Sequence, residues 1–226
     1  MTNNSSEKKN TAADQKTPSS VIQPEAIQPE INHPEIIQPA WCNRPSIQVA
    51  PDLIGCTLIR QLPDGPRIRC TIVEAEAYAP GDPACHAYSG QSKRNAAMFG
   101  PPGRSYVYLI YGMYHCLNVV TETEGIGSAV LIRALELDTI PPHLTPKQTE
   151  KPHRIAAGPG KLCRALKINR DLDGVLYHPE NRLWLEHRSQ TINNEDIIQT
   201  TRIGITKAAD RPWRWFLNSS RAVSKK

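Results

Sequence analysis

The sequence predicts an α+β fold: a single domain around a mostly antiparallel, curved β-sheet with short flanking helices, preceded by a disordered tail. Three observations carry this reading. Strand-like runs outnumber helix-like ones, and no regular alternation of strand and helix marks parallel βαβ units. The first forty or so residues, in addition, hold too little apolar surface to form a core. The expected division is a tail over residues 1–42 and a folded domain over 43–226.

The tail begins with a polar stretch, Met1 to Ser20, rich in Asn, Ser, Thr and Lys. An imperfect repeat comes after it. Ile22-Gln23-Pro24-Glu25 and Ile27-Gln28-Pro29-Glu30 match fully, Ile31-Asn32-His33-Pro34-Glu35 is looser, and Ile37-Gln38-Pro39 is shortened. Each proline removes a backbone donor and biases its predecessor away from helix, which favours an extended, solvated linker.

Within the domain, Ile47, Val49, Leu53, Ile54 and Leu58 read as a short helix running into a strand, with Gly55 at the junction. Pro63-Asp64-Gly65 is a turn signal, and Ile68 to Ala77 after it is a strand with one exposed face. Tyr106 to Tyr111 is a second strand, bounded by Pro101-Pro102-Gly103 and Gly112. Leu117–Thr123 and Ala129–Leu135, separated by Gly125 and Gly127, read as a hairpin. Further strands are expected at Leu183–Glu186, at Ile203–Thr206 and near Trp213–Leu217, and a short helix at Lys161–Leu166. The polar, proline-containing stretch Pro141–Pro152 reads as a loop.

Charge narrows the partners. The chain carries a net +5, but the segment up to Cys42 contributes −2, so the remainder carries +7. Such an excess permits a polyanion without requiring one. Cysteines at 42, 56, 70, 85, 116 and 163 lack the short gaps of zinc knuckles or redox pairs. No apolar run is long enough for a signal peptide or membrane span, so reduced thiols in a cytoplasmic protein are expected.

Two clusters could carry chemistry. On a strand, Glu74, Glu76 and Tyr78 share one face, next to Asp82, Cys85 and His86. Carboxylates beside Ile72, Val73 and Ala75 read either as a buried base of raised pKa or as ion pairs at a solvated strand end. Tyr106, Tyr108 and Tyr111 read either as sheet core or as faces for a planar base. Gly158-Pro159-Gly160-Lys161 is not a phosphate-binding loop, because Ile155 stands where the first Gly belongs and Leu162 follows the lysine. Cys85-His86 and His115-Cys116 make a poor metal set, since strand neighbours point to opposite faces.

Several segments taken in order resemble the alkyladenine (3-methyladenine) DNA glycosylase family. They are Ile72-Val73-Glu74-Ala75-Glu76-Ala77-Tyr78, Asp82, His86, Arg94-Asn95, Met98-Phe99, Pro102-Gly103, the run Tyr106 to Met113, and Cys116-Leu117-Asn118. Leu131-Ile132-Arg133-Ala134-Leu135-Glu136 and Gly158 to Cys163 continue the match, which spans Ile47 to Phe216. The resemblance implies a monofunctional enzyme that hydrolyses the N-glycosidic bond of a flipped alkylated purine and leaves an abasic site. It assigns Glu76 as general base for water and Arg133 as its holder. Tyr78, His86 and Tyr108 become stacking walls, the backbone near His86 a reader of the purine edge, and Asn118 and Tyr106 pocket supports. Tyr111, with Met113, becomes the wedge in the duplex, and Lys161 a phosphate contact. The chain departs from the family's pattern at Pro80, at Ser92 and across Asp138–Ala157, where no DNA contact is assigned. The implied partner is double-stranded DNA with damaged bases, bound by a monomer without cofactor or metal, in the cytoplasm with the DNA or in a nucleus where there is one. Two other classes stay open on sequence: a non-catalytic binder of distorted DNA, and a small-molecule glycoside hydrolase using Glu74 and Glu76 as a pair.

Overall fold

The computed structural model describes Met1 and residues 35–63, 65–145 and 150–226, so residues 2–34 of the tail expected over 1–42, with its full repeats, lie outside the described residues. The folded unit starts upstream of residue 43. Ile36 bridges Glu186, the Ile37 N–H donates to the Leu185 carbonyl at 2.9 Å, and Pro39–Cys42 forms a short helix, α1. Ile37 and Cys42 are buried, so Glu35–Cys42 belongs to the domain and not to the tail. A proline that reads as linker is equally at home in the first turn of a helix, where its missing N–H is not needed. The free backbone of a sheet edge supplies the partner that local sequence does not show.

Helix α2 (Ser46–Leu53) buries Val49, Ala50 and Leu53, and Gly55, at φ +85°, turns the chain into β1 (Thr57–Gln61). The long strand β2 (Arg67–Tyr78) organises the rest of the sheet. From Ile72 to Ala77 it is buried on both faces, not exposed on one as expected, because the main core takes Ile72 and Ala75 and a second cluster of Phe216, Ala222 and Val223 covers Val73. Strands β3 (Ser105–Ile110), β4 (Tyr114–Val120) and β5 (Ala129–Leu137) form an antiparallel meander, with the path β3-β4-β5-β2-β1-β6, where β6 is Leu183–Glu186. Every pairing is antiparallel.

Strand β2 is longer than any partner on one of its sides, and this shapes the sheet. Its first half pairs with β1 over Arg67–Thr71, while its second half pairs with β8 (Arg214–Leu217) over Glu74–Glu76. Along the opposite edge β5 follows β2 from Cys70 to Tyr78, with register shifts on either side of Glu74. A fork and a bulge at one point bend a strand and strengthen its twist, which curls the sheet around the second half of β2.

One expected strand is absent. Ile203–Thr206 is irregular, and β7 lies earlier, at Ile197–Thr200, paired with β8. The Ile203 N–H is taken by the Glu76 carboxylate instead of a ladder. The helix expected near Lys161 is α3 (Pro159–Ala165). The main core joins α2 and α3 to the sheet through Leu53, Leu58, Ile72, Ile132, Leu162 and Leu166. A smaller cluster of Cys85, Met98, Tyr106, Val120 and Ala129 packs beneath Tyr78 and Tyr108.

Candidate active site

Both glutamates of β2 are buried, with 0% exposure, so the reading of a solvated strand end does not hold. An unpaired carboxylate there costs several kcal/mol, about 3–5 when a partner is stripped away, so partners decide whether the arrangement survives. Arg133, on β5 where the register shifts, lies between the two. Its Nε is 3.1 Å from Glu74 Oε1 and its Nη1 is 3.2 Å from Glu76 Oε2. Glu74 also takes Arg214 Nη1 at 3.0 Å and the Ser224 N–H at 2.7 Å. Glu76 accepts the Ile203 N–H on Oε1 at 2.8 Å and the Tyr78 hydroxyl on Oε2 at 2.9 Å. Glu74 is thus turned inward, toward Arg133, Arg214 and the chain's last residues. Glu76 is held by groups from three separate segments.

Burial raises the Glu76 carboxyl above its ordinary range, while Arg133, the Ile203 N–H and the Tyr78 hydroxyl pull the other way. Burial also lowers the Arg133 guanidinium, but Glu76 and Glu74 outweigh it, and Arg133 stays a cation. Burial first and Glu76 second push the Tyr78 hydroxyl up, which keeps it a donor. The result is a carboxylate that takes up a proton more readily than an ordinary glutamate, in a buried site.

Tyr78, Arg133 and Ile203 all line a cavity of about 640 Å³, together with His86, Tyr106, Tyr108 and Asn118. Glu76 itself is not on the wall; it lies behind the three residues that hold it. The volume is within the usual range for a site that encloses a small planar ligand. His86 and Tyr108 meet edge to face, with ring centroids 4.6 Å apart and planes at 74°. A flat base between two rings needs them roughly 7 Å apart, twice the carbon contact distance. His86 and Tyr108 therefore form one wall together and do not sandwich a base between them. Tyr106 is 1% exposed and its hydroxyl is 2.9 Å from His86 Nδ1, while Asn118 Nδ2 donates to the Tyr106 carbonyl at 2.8 Å. Both are supports of the wall. Burial, reinforced by the Arg94 cation, lowers the His86 imidazole below its ordinary range, so this wall is neutral at pH 7.

At the rim, the three residues between β3 and β4 project outward: Tyr111 is 80% and Met113 67% exposed. Tyr111 has φ +51°, a left-handed conformation that costs a bulky residue about 1 kcal/mol, followed by Gly112 at +70°. The Gly158–Gly160 segment lines the cavity because α3 packs under Tyr114; a Cβ at Gly160 would stand 3.1 Å from the Tyr114 ring. Lys161 lines the cavity too, but its ammonium is engaged by Glu150 at 2.8 Å and the Arg154 carbonyl at 3.1 Å. A phosphate contact from Lys161 requires that pairing to open.

Several participants escape sequence reasoning. The resemblance gives Glu74 no part, although it fixes Arg133. Arg94, Tyr114, Cys116 and Arg164 also line the cavity, and Ile203 supplies the backbone donor to Glu76. A backbone N–H leaves no trace in residue type. For Arg94 the available signal is its place inside a motif that carries the resemblance, and for Tyr114 its place directly after the tyrosine run.

The methylpurine-DNA glycosylase family model matches residues 40–221 of this chain. A protein of Trichodesmium erythraeum named as a 3-methyladenine DNA glycosylase is 58% identical over 195 residues, covering 84% of this chain and 97% of its own. A Synechococcus protein (strain JA-3-3Ab) with the same name is 51% identical over 188 residues, 81% of this chain and 96% of its own. One from Methanoculleus marisnigri, named alike, is 47% identical over 195 residues, 83% of this chain and 97% of its own.

Proposed function

The chain belongs to the methylpurine-DNA glycosylase family, and from that premise we propose that it removes 3-methyladenine-type alkylated purines from double-stranded DNA in base-excision repair. The bond cut is the N-glycosidic bond, by water, and the products are a free base and an abasic site. The observation that carries the reading is the buried Glu76 carboxylate, held directly behind the wall of an aromatic cavity by three residues that line it, Arg133, Tyr78 and Ile203.

The chemistry rests on those positions. Cleavage of a C–N glycosidic bond builds positive charge on the sugar, which an adjacent carboxylate stabilises. Glu76 accepts a proton from water directed at the anomeric carbon, and Arg133 keeps the carboxylate oriented. The purine stacks between Tyr78 on one side and the His86–Tyr108 pair on the other. An alkylated purine that carries positive charge is attracted to the ring faces, and the neutral imidazole does not repel it. Damage weakens pairing and stacking and so lowers the cost of extrusion. Tyr111, already fixed outward by its left-handed backbone, fills the gap left in the duplex, with Met113 beside it. Among the described residues that line the cavity, Lys161 is the one amine, and its pairing with Glu150 argues against Schiff-base chemistry and for a monofunctional enzyme. The protein acts as a monomer, in the compartment that holds the DNA; among the described residues no helix is long and apolar enough to cross a membrane.

The test is single-turnover incubation with a duplex holding one alkylated adenine. Release of free base with an unbroken abasic strand is expected. Tight binding without release makes the protein a damage binder, and strand cleavage makes it a lyase.

Tyr111→Ser tests the wedge. Loss of one base–aromatic stack is worth ~1–3 kcal/mol, so a roughly ten- to hundredfold fall in the extruded fraction is expected. A reporter base opposite or beside the lesion reads this by fluorescence; an unchanged signal removes Tyr111 from that role.

A further inference from the structure

Asp82 and Arg202 form an ion pair that is fully buried on both sides. Arg202 Nη1 donates to Asp82 Oδ2 and Nη2 to Oδ1, the latter at 3.0 Å. The same guanidinium donates to the Ala77 carbonyl at 3.0 Å and the Ala208 carbonyl at 3.3 Å. Its carbon lies 4.8 Å from the centre of the Tyr78 ring and 5.2 Å from that of Trp213. One side chain therefore ties the end of β2, the loop after it, and the irregular segment 201–213 to a single point. Asp82 continues the connection, since its Oδ1 also accepts the Ala84 N–H at 3.2 Å, two residues before His86.

The sequence neighbours of this pair matter more than the pair itself. Arg202 directly precedes Ile203, whose N–H holds Glu76 Oε1. Arg202 also backs the ring of Tyr78, whose hydroxyl holds Glu76 Oε2. Two of the three groups on Glu76 are thus placed by Arg202, and the third is Arg133. Resting on the reading of Glu76 as base, we propose that Arg202, gripped by Asp82, is a positioning residue that sets the Glu76 carboxylate through Ile203 and Tyr78 and fixes the His86 wall to the same anchor. The arrangement couples base recognition to water activation: the wall and the carboxylate keep one relative position because one ion pair holds both. Misplacement of a reacting group by about 1 Å can cost on the order of 100-fold in rate, the scale on which such an anchor acts.

The groups around Glu76 fix the sign of a pH effect. Arg133 faces it from β5, Arg214 from β8, Cys116 from β4, and Glu74 and Tyr78 from β2 itself, with Arg202 and Asp82 behind Tyr78. Loosening the Ile203 N–H and Tyr78 hydroxyl removes two influences that hold the Glu76 carboxyl down. The acid limb of the rate profile then moves to higher pH, an effect that mere loss of rigidity elsewhere does not produce.

The experiment compares wild type, Arg202→Lys, Asp82→Asn and Glu76→Gln in single-turnover base release across pH, with binding of the same damaged duplex and the melting temperature measured alongside. Lysine keeps the charge but cannot make the two-pronged contact. Arg202→Lys is expected to stay folded and bind the damaged duplex within a few-fold. It is expected to cleave on the order of ten to a hundred times more slowly, with its acid limb at higher pH. Asp82→Asn is expected to move rate and limb in the same direction. A folded Arg202→Lys with the wild-type limb overturns the proposal, whatever its rate. Failure of both variants to fold also overturns it, because the pair then serves the fold alone. If Glu76→Gln cleaves normally, it is the assignment of Glu76 that fails; if Glu76→Gln is inactive and Arg202→Lys behaves as wild type, only the positioning role fails.

Discussion

Glu76→Gln is expected to abolish base release, with a single-turnover rate lower by on the order of 10³–10⁴, while damaged DNA still binds. The amide keeps the shape of the carboxylate and can still accept the Ile203 N–H, so the pocket walls stay in place. What it loses is the ability to take a proton from water and the negative charge beside the developing sugar cation. With Glu76 as the proposed base, the active form of the wild type is the ionised carboxylate. Its pKa is raised by burial, so activity falls as pH drops through a value above the ordinary 4.5 of a glutamate. The acid limb of the pH profile is therefore expected above that of a free glutamate, and to be lost in Glu76→Gln. A variant that releases base at the normal rate would remove Glu76 from the reaction.

Arg133→Leu is expected to have the largest effect on stability. Glu74 keeps Arg214 and the Ser224 N–H, but Glu76 keeps only the Tyr78 hydroxyl and the Ile203 N–H, with no cation in contact. Stripping the partner from a buried charge costs about 3–5 kcal/mol, visible as a lower urea midpoint at an unchanged slope. Glu76 escapes part of that cost by taking up a proton, so the variant is inactive at neutral pH and its residual rate rises as the solution is made more alkaline. Wild-type stability in Arg133→Leu would mean that the guanidinium does not bear on either carboxylate. A rate that is low but flat with pH would mean that Arg133 contributes to catalysis in some way other than holding Glu76 ionised.

The surroundings of Glu76 and Arg133 mark how far the sequence can be read. The alternation of Glu74, Glu76 and Tyr78 along β2, and the tyrosines of β3 bounded by Gly112, are enough to assign these side chains to their faces. Those patterns are local: residue spacing on a strand fixes the direction in which a side chain points. The turn chemistry around Gly55 and Gly112, and the hairpin of β4 and β5, are legible for the same reason. Whether the glutamates are buried or solvated is not. Nor is the part played by Glu35–Cys42, where a proline-containing segment that resembles linker is fastened to the edge of β6.

By itself, then, the sequence determined the fold class, most strand and helix positions and the family resemblance. Tertiary structure alone decided which side chains meet. The donor to Glu76 is a backbone N–H 127 residues away, the second cation on Glu74 is 140 away, and the partner of Asp82 is 120 away. It moved the strand expected at Ile203–Thr206 to Ile197–Thr200 and left Ile203 outside the ladder, its N–H on Glu76. It also gave Lys161 a carboxylate in place of an open face. Short-range patterns encode the direction of a side chain, but the partner of a buried charge is set by how the β2 fork curls the sheet, and that depends on every pairing at once.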